Sequence, residues 1–341
     1  MADIIPIDIN TLVDFKIKPT LIPSFAIKEL EQYPHSAGRF GDVWKCLMST
    51  PSGTHPVAIK SIRAPQSDDK ELLYKIGRMI RREAYVWIQL SHNHILPFEG
   101  VTQAGDFGPF PALVSLWMEN GSLNGYLKRE FPQLSDQGKS QLIQQVADGL
   151  SYMHGEDIVH GDLTSFNVLV DDSGNVRIAG FGQSMLLAEA GDQMFSSLQP
   201  GNTRWTAPEL IGFPDNGDEP QSQPKPTKTG DIYSFCCVML QILSGEEPYS
   251  WIKPATRVID AIANGLEPFK RKVHMNMGEV YELLSSRCLS KTPEKRPSIV
   301  EITTIVGPIK AMLSPNIPRT VQAQSSVDDG DRSSHGGAIL T

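Results

Sequence analysis

Asp162 and Asn167 stand five residues apart in the stretch Ile158-Val-His-Gly-Asp-Leu-Thr-Ser-Phe-Asn167, and Gly180 follows thirteen positions later in Ala179-Gly-Phe-Gly182. A carboxylate at 162 can take the proton of a hydroxyl, and a carboxamide oxygen at 167 can ligate a hard divalent cation. Together they outline a site for phosphoryl transfer. A second, anionic ligand for the same cation would be expected at 180, where the chain offers no side chain.

Upstream lie residues suited to a phosphate chain. In His35-Ser-Ala-Gly38-Arg-Phe-Gly41-Asp-Val43, two glycines would let backbone N–H groups approach phosphate oxygens without steric conflict. A glycine turn between strands is most often only a turn, and Ser36 stands where a G-x-G-x-x-G pattern has its first glycine. Val57-Ala-Ile-Lys60, one strand later, adds a cation. Glu83 falls on the apolar stripe of a helix, where a carboxylate is expensive unless paired, and Lys60 is its natural partner. Glycine turn, lysine and glutamate together point to nucleotide binding.

The elements that must hold these residues are legible as patterns. Ile27 to Tyr33, Gly41 to Met48 and His55 to Ile62 read as an antiparallel meander, with Pro51-Ser-Gly53 as one of its turns. Leu72, Ile76, Met79, Ile80, Trp87 and Leu90 recur at helical spacing and predict a helix over 68–90. Strands are expected at 98–103 and 112–117. After Asn120-Gly121 the pattern becomes mainly helical, with helices at 134–154, 229–245, 255–264, 278–288 and 298–313. Short strands at 167–170 and 176–179 flank the turn Asp171-Asp-Ser-Gly174. Strands first and helices later give an α+β arrangement of two lobes.

This motif order resembles the protein kinase family from about residue 29 to 312, and in particular its tyrosine-kinase-like branch of Ser/Thr kinases, with a fungal origin as one reading. Ala58-Ile-Lys60 resembles the family's strand lysine, Glu83 its helix partner and Ile158–Val170 its catalytic loop. Ala207-Pro-Glu209 is similar to the motif closing the activation segment. Asp231 is similar to the aspartate that anchors the catalytic loop, and Arg296 to the arginine that pairs with Glu209. Gly201-Asn-Thr-Arg-Trp205 and Cys288–Pro297 carry the branch resemblance. The resemblance implies a two-lobed protein kinase fold binding ATP and, at a site weakened by Gly180, Mg2+. Ser36, Gly38 and Gly41 would lie over the phosphates, Val43, Ala58 and Leu169 around the base, Ser115 at the gatekeeper position and Met118 at the hinge. Trp87, Phe98, His160 and Phe181 would form a stack joining the lobes.

Three departures bear on chemistry. Gly180 replaces the aspartate that supplies the family's charged metal ligand, and the spacing from Asn167 needs no gap. Thr164 stands where Ser/Thr kinases place a lysine, and Phe166 supplies no substitute. Gly161 replaces the arginine before the catalytic aspartate, which leaves a phosphate on Ser196, Ser197 or Thr203 without its usual ion partner. The literal Asp106-Phe-Gly108 sits between two small-lobe strands and reads as a loop. The implied activity is an ATP-binding, pseudokinase-like protein with impaired transfer. The alternatives are a competent Ser/Thr kinase that tolerates Gly180, and a nucleotide-free docking module.

Composition excludes other classes. A formal net charge of -8 and a pI near 5.5 argue against a nucleic-acid binder. Cys46, Cys236, Cys237 and Cys288 are too scattered for a disulfide scaffold, which fits a reducing, cytoplasmic or nuclear setting. The longest apolar run, Phe235–Leu243, contains Gln241 and falls far short of the roughly 20 residues of a membrane span. His92 and His94 lack the companions of a metal site. The expected organisation is an arm over 1–25 and a kinase domain over 26–314, with its small lobe at about 26–117 and its large lobe at about 121–314. A loop over 213–228 interrupts it, and a polar tail over 315–341 follows. The expected partner is a protein substrate or signalling protein.

Overall fold

The computed structural model describes residues 18–37, 41–63, 70–103, 105–183, 185–186, 203–211, 224–270 and 279–313. In the small lobe, β1 (Ile27–Glu29), β3 (Gly41–Thr50), β4 (Gly53–Ile62), β6 (Ala112–Leu116) and β5 (Phe98–Thr102) lie side by side in that order. The short β2 (Ser36–Ala37) also pairs with β3. Every one of these pairings is antiparallel.

The register sorts the side chains. Directly opposed residues of neighbouring strands share a face, and alternate residues along a strand change face. Val43 opposes Lys60, and Ala58 opposes Ser115, so these four residues lie on one face of the sheet. The other face carries Cys46, Val57, Ile59 and Val114, which form a separate small core with Ile22 and Phe107. The loop containing Asp106-Phe-Gly108 thus serves packing: its Phe107 is buried and meets Trp44 edge-on at 5.8 Å.

Helix α1 (Lys70–Ile88) places Ile80, Ala84 and Trp87 in the main core, which continues without a break into the large lobe. There Ser122 caps α2 (Leu123–Glu130) and Ser135 caps α3 (Asp136–Gly155), each accepting a backbone N–H from the first turn. Four short strands follow: β7 (Ile158–Val159), β8 (Val168–Val170), β9 (Val176–Ile178) and β10 (Met185–Leu186), with β7 paired to β10 and β8 to β9. The β8–β9 turn is closed by Asp171, whose Oδ1 accepts from Ser173 and Asn175 N–H.

Helix α4 (Lys228–Ser244) is buried on all sides from Gly230 to Ile242, as an almost uniformly apolar helix must be. It starts at the Thr227 cap and ends at Gly245 in the left-handed conformation. The expected loop over 213–228 gives way to this helix at Lys228, within one residue of its expected end, and most of it lies outside the described residues. Helices α5 (Ala255–Ala263), α6 (Glu279–Cys288) and α7 (Ile299–Leu313) complete the lobe. Among the described residues no helix is long and apolar enough to cross a membrane.

The lobes are also joined by backbone. Leu96 N–H donates to Ile178 O at 2.8 Å, and Ile178 N–H donates to His94 O at 2.9 Å. The approach is close enough that a Cβ at Gly149 would lie 2.8 Å from His94 O. His92 stacks on Tyr152 and His94 Nδ1 meets Val176 O, so both histidines have packing roles here. All four cysteines are buried thiols, and burial pushes Cys46 up to about 12.

Candidate active site

On the small-lobe side, Lys60 Nζ donates to both carboxylate oxygens of Glu83, at 2.6 and 2.9 Å. The carboxylate is buried, whereas the lysine side chain keeps 38% of its surface and lies on the sheet face that carries Val43 and Ala58. Behind the carboxylate, a Cβ built on Gly182 would come within 3.2 Å of Glu83 Oε2. The ion pair therefore closes against the backbone that follows Phe181. Met118 follows β6, its carbonyl accepting from Gly121 N–H. Leu169 lies on β8, partly buried against the core.

Gly41 has a local explanation. A Cβ there would fall 1.9 Å from Ser61 O, so the β3–β4 approach itself demands glycine. Gly38 lies outside the described residues, and Ser36 pairs with Val43 at the edge of the sheet.

The four aromatic residues expected as a stack touch in sequence: Phe98 to Trp87 at 5.1 Å, Trp87 to Phe181 at 5.5 Å, and Phe181 to His160 at 5.9 Å between ring centres. Trp87 Nε1 donates to Leu96 O, which fixes its ring. His160 is fully buried. Its Nδ1 accepts from Asp162 N–H at 3.2 Å, so the ring proton sits on Nε2, which donates to Ala179 O at 2.9 Å. Burial lowers its pKa and keeps the ring neutral.

Asp231, in the first turn of α4, anchors the loop that carries Asp162. Its Oδ2 accepts His160 N–H at 2.8 Å and His154 Nε2–H at 2.9 Å, and its Oδ1 accepts Gly161 N–H at 2.9 Å. The carboxylate is 98% buried by burial of its residue, and such a group persists only when its oxygens are satisfied in this way. Gly161 has a φ of 77°, left-handed backbone that glycine adopts freely.

A second anchor lies beyond the loop. Arg296, whose side chain has no exposed surface, holds Glu209 bidentately at 2.6 and 2.8 Å, donates to Thr229 O and Ser290 O, and stacks over Tyr233. Arg204 binds the carbonyls of Pro248, Tyr249 and Ile252. That role was missed in the sequence, although Arg204 lies within a motif singled out there. His154 was missed too, because nothing local marks a helix-end histidine as the partner of a residue 77 positions away.

At the reacting centre the geometry is sparse. Asn167 Nδ2 donates to Asp162 O at 2.7 Å and to Asp162 Oδ2 at 3.0 Å. Gly180 has a φ of 80°, and a Cβ built on it would lie 2.5 Å from Asn167 Cγ. Thr164 is buried, its hydroxyl accepting the N–H groups of Phe166 and Asn167, so it closes the loop's turn. Phe166 is 46% exposed and packs edge-on against Trp205.

Thr203, read as a candidate phosphosite, is 99% buried by its 1% residual exposure, so a modifying enzyme could reach its hydroxyl only after the short helical turn at Thr203–Trp205 opened. Ser196 and Ser197 lie outside the described residues, as do the tail and most of the loop after Ile211.

Residues 34–306 match the family model described as protein tyrosine and serine/threonine kinase. The chain belongs to this protein kinase family. Within it, the kinase domain is 26% identical over 277 residues to the serine/threonine-protein kinase STY17 of Arabidopsis thaliana, covering 80% of this chain and 43% of that protein. It is 30% identical over 268 residues to the human serine/threonine-protein kinase TNNI3K, covering 78% of this chain and 29% of that protein. The probable serine/threonine-protein kinase drkC of Dictyostelium discoideum is 28% identical over 297 residues, covering 86% of this chain and 36% of that protein. The kinase domain thus spans less than half the length of these relatives.

Proposed function

We propose that this protein kinase homologue binds ATP and transfers its γ-phosphoryl group to protein serine or threonine hydroxyls slowly or not at all. The observation that carries this reading is the pairing of Gly180 with Asn167: no side chain exists at 180, and the Asn167 carboxamide fills the space where one would begin. The residues fit the nucleotide. Lys60 offers an oriented ammonium to the phosphates, Val43 and Ala58 share its face of the sheet, and Leu169 and Met118 come from the opposite lobe and the hinge.

They offer a divalent ion only a weakened site. Asn167 Nδ2 is engaged with Asp162, which leaves a single neutral oxygen, Oδ1, for an ion, and among the described residues no group of three or more acidic, histidine or cysteine side chains could hold a metal. ATP, when bound, supplies the phosphoryl group. The residues that remain supply orientation: Asp162, held by Asn167 and by the Asp231-anchored loop, would accept the proton of a hydroxyl presented beside it. Without an anionic ligand at 180 and a lysine at 164, two sources of charge stabilisation are missing from the transition state. At ~2–4 kcal/mol each, as for a lost oxyanion donor, the rate falls by orders of magnitude.

A competent kinase is the second reading, favoured by the assembled Lys60–Glu83 pair and the intact aromatic stack. Radiolabelled transfer to a generic protein acceptor separates the two. The proposal expects a rate at least about a hundredfold below the ~1–100 per second of ordinary kinases. Transfer within that range, lost in Asp162→Asn, would establish the competent enzyme instead. Lys60→Met should abolish the thermal stabilisation produced by ATP. A parent chain that ATP never stabilises would instead be a docking module.

A further inference from the structure

Gly180 and Asn167 are sterically coupled. A Cβ at 180 would lie 2.5 Å from both Cγ and Oδ1 of Asn167, closer than any two such atoms can stand. The carboxamide is held in that place by its two hydrogen bonds to Asp162, at 2.7 and 3.0 Å. Both bonds are donated by Nδ2, which leaves the neutral Oδ1 turned toward position 180. That oxygen is the ligand the pair could offer an ion, and it carries no charge, while position 180 adds none.

Resting on the nucleotide-binding reading above, we propose that the cleft takes ATP without help from a divalent cation. A cation tightens nucleotide binding only to the extent that the protein holds it better than water and the phosphates already do. Here the protein adds no charged ligand of its own at 180. What it offers the phosphates is Lys60, whose Nζ keeps both bonds to Glu83 while much of the side chain remains open to the cleft. A magnesium ion on the phosphates would weaken the pull of that ammonium while it screened the phosphates' own repulsion. The two contributions oppose each other, and neither is decided by a protein carboxylate.

The test is calorimetric titration of ATP into the full 341-residue chain, in buffer with EDTA and in buffer with magnesium chloride. The affinities should agree within about fivefold. Tightening by magnesium beyond that overturns the proposal while leaving nucleotide binding intact. No binding in either buffer overturns the nucleotide-binding reading itself, and the proposal with it. In a Gly180→Asp chain, which must push the Asn167 carboxamide aside, magnesium should tighten ATP by more than about fivefold. A folded variant that stays indifferent to magnesium would show that position 180 is not the cause. The parent titration stands alone should that variant fail to fold.

Discussion

The catalytic loop is held at one end and stripped at the other. Where it begins, Asp231 receives three hydrogen bonds from His154, His160 and Gly161. Where it finishes, Asn167 faces a glycine. The difference follows from what each position owes to folding. A buried carboxylate such as Asp231, or a buried guanidinium such as Arg296, is part of a satisfied network whose loss leaves unpaired charge inside the protein. A metal ligand owes nothing to the fold. Removing it leaves no orphaned partner, so stability and chemistry can part company in one domain. Scaffold residues therefore speak for architecture, and only the groups that would touch phosphate speak for turnover.

Chemical denaturation puts this contrast at greatest risk in Asp231→Ala. Three donors lose their acceptor, and the loss should reach ~3–5 kcal/mol. An effect below about 1 kcal/mol would mean that the loop's anchoring lies elsewhere. Next in size is Arg296→Ala, which strands Glu209 and two carbonyls and should cost ~2–4 kcal/mol. Glu209 is partly exposed, so water offsets some of that loss.

Gly180→Asp inverts the pattern. It should destabilise by about 1 kcal/mol, because the backbone there is left-handed and Asn167 must move, while raising transfer by at least about tenfold. If transfer falls as stability does, the position is structural and the contrast fails.

The smallest effect is one of pH. The His160 pKa is depressed by burial in the folded state, so the native chain binds fewer protons than the unfolded one just below the ordinary value of about 6.5. Its contribution to stability is complete above that value and declines as pH falls toward the folded pKa, by at most ~1.4 kcal/mol per unit. Denaturation midpoints measured on either side of pH 6.5 would reveal this slope, and His160→Gln should flatten it.

Most of the fold was readable from periodicity and turn residues, because strands and long helices bury one face each. The helix expected over 134–154 runs from Asp136 to Gly155, and that expected over 255–264 runs from Ala255 to Ala263. Helix α2 escaped because it is short and polar and contains Gly125, although Ser122 marks its start. At the site, Lys60 and Glu83 were found as a pair because an acidic residue on an apolar stripe demands a partner. The inward turn of Thr164 and the reach of Asn167 into the place of a missing side chain were not legible, since both depend on where the loop's backbone comes to rest. The burial of Thr203 escaped for the same reason.

The first described residues carry a consequence for how much of the chain must be kept together. Val101 N–H donates to Thr20 O and Ile22 N–H donates to Val101 O, while Gly100 leaves room for that carbonyl, since a Cβ there would stand 2.3 Å from it. These partners lie upstream of residue 34, where the family match begins. A truncated chain starting at that boundary would pull Ile22 out from beside Phe107, leave a hollow under the sheet and bare the outer rung of β5. Such an edge invites strands from other molecules. The shortened domain should clump, however sound its cleft.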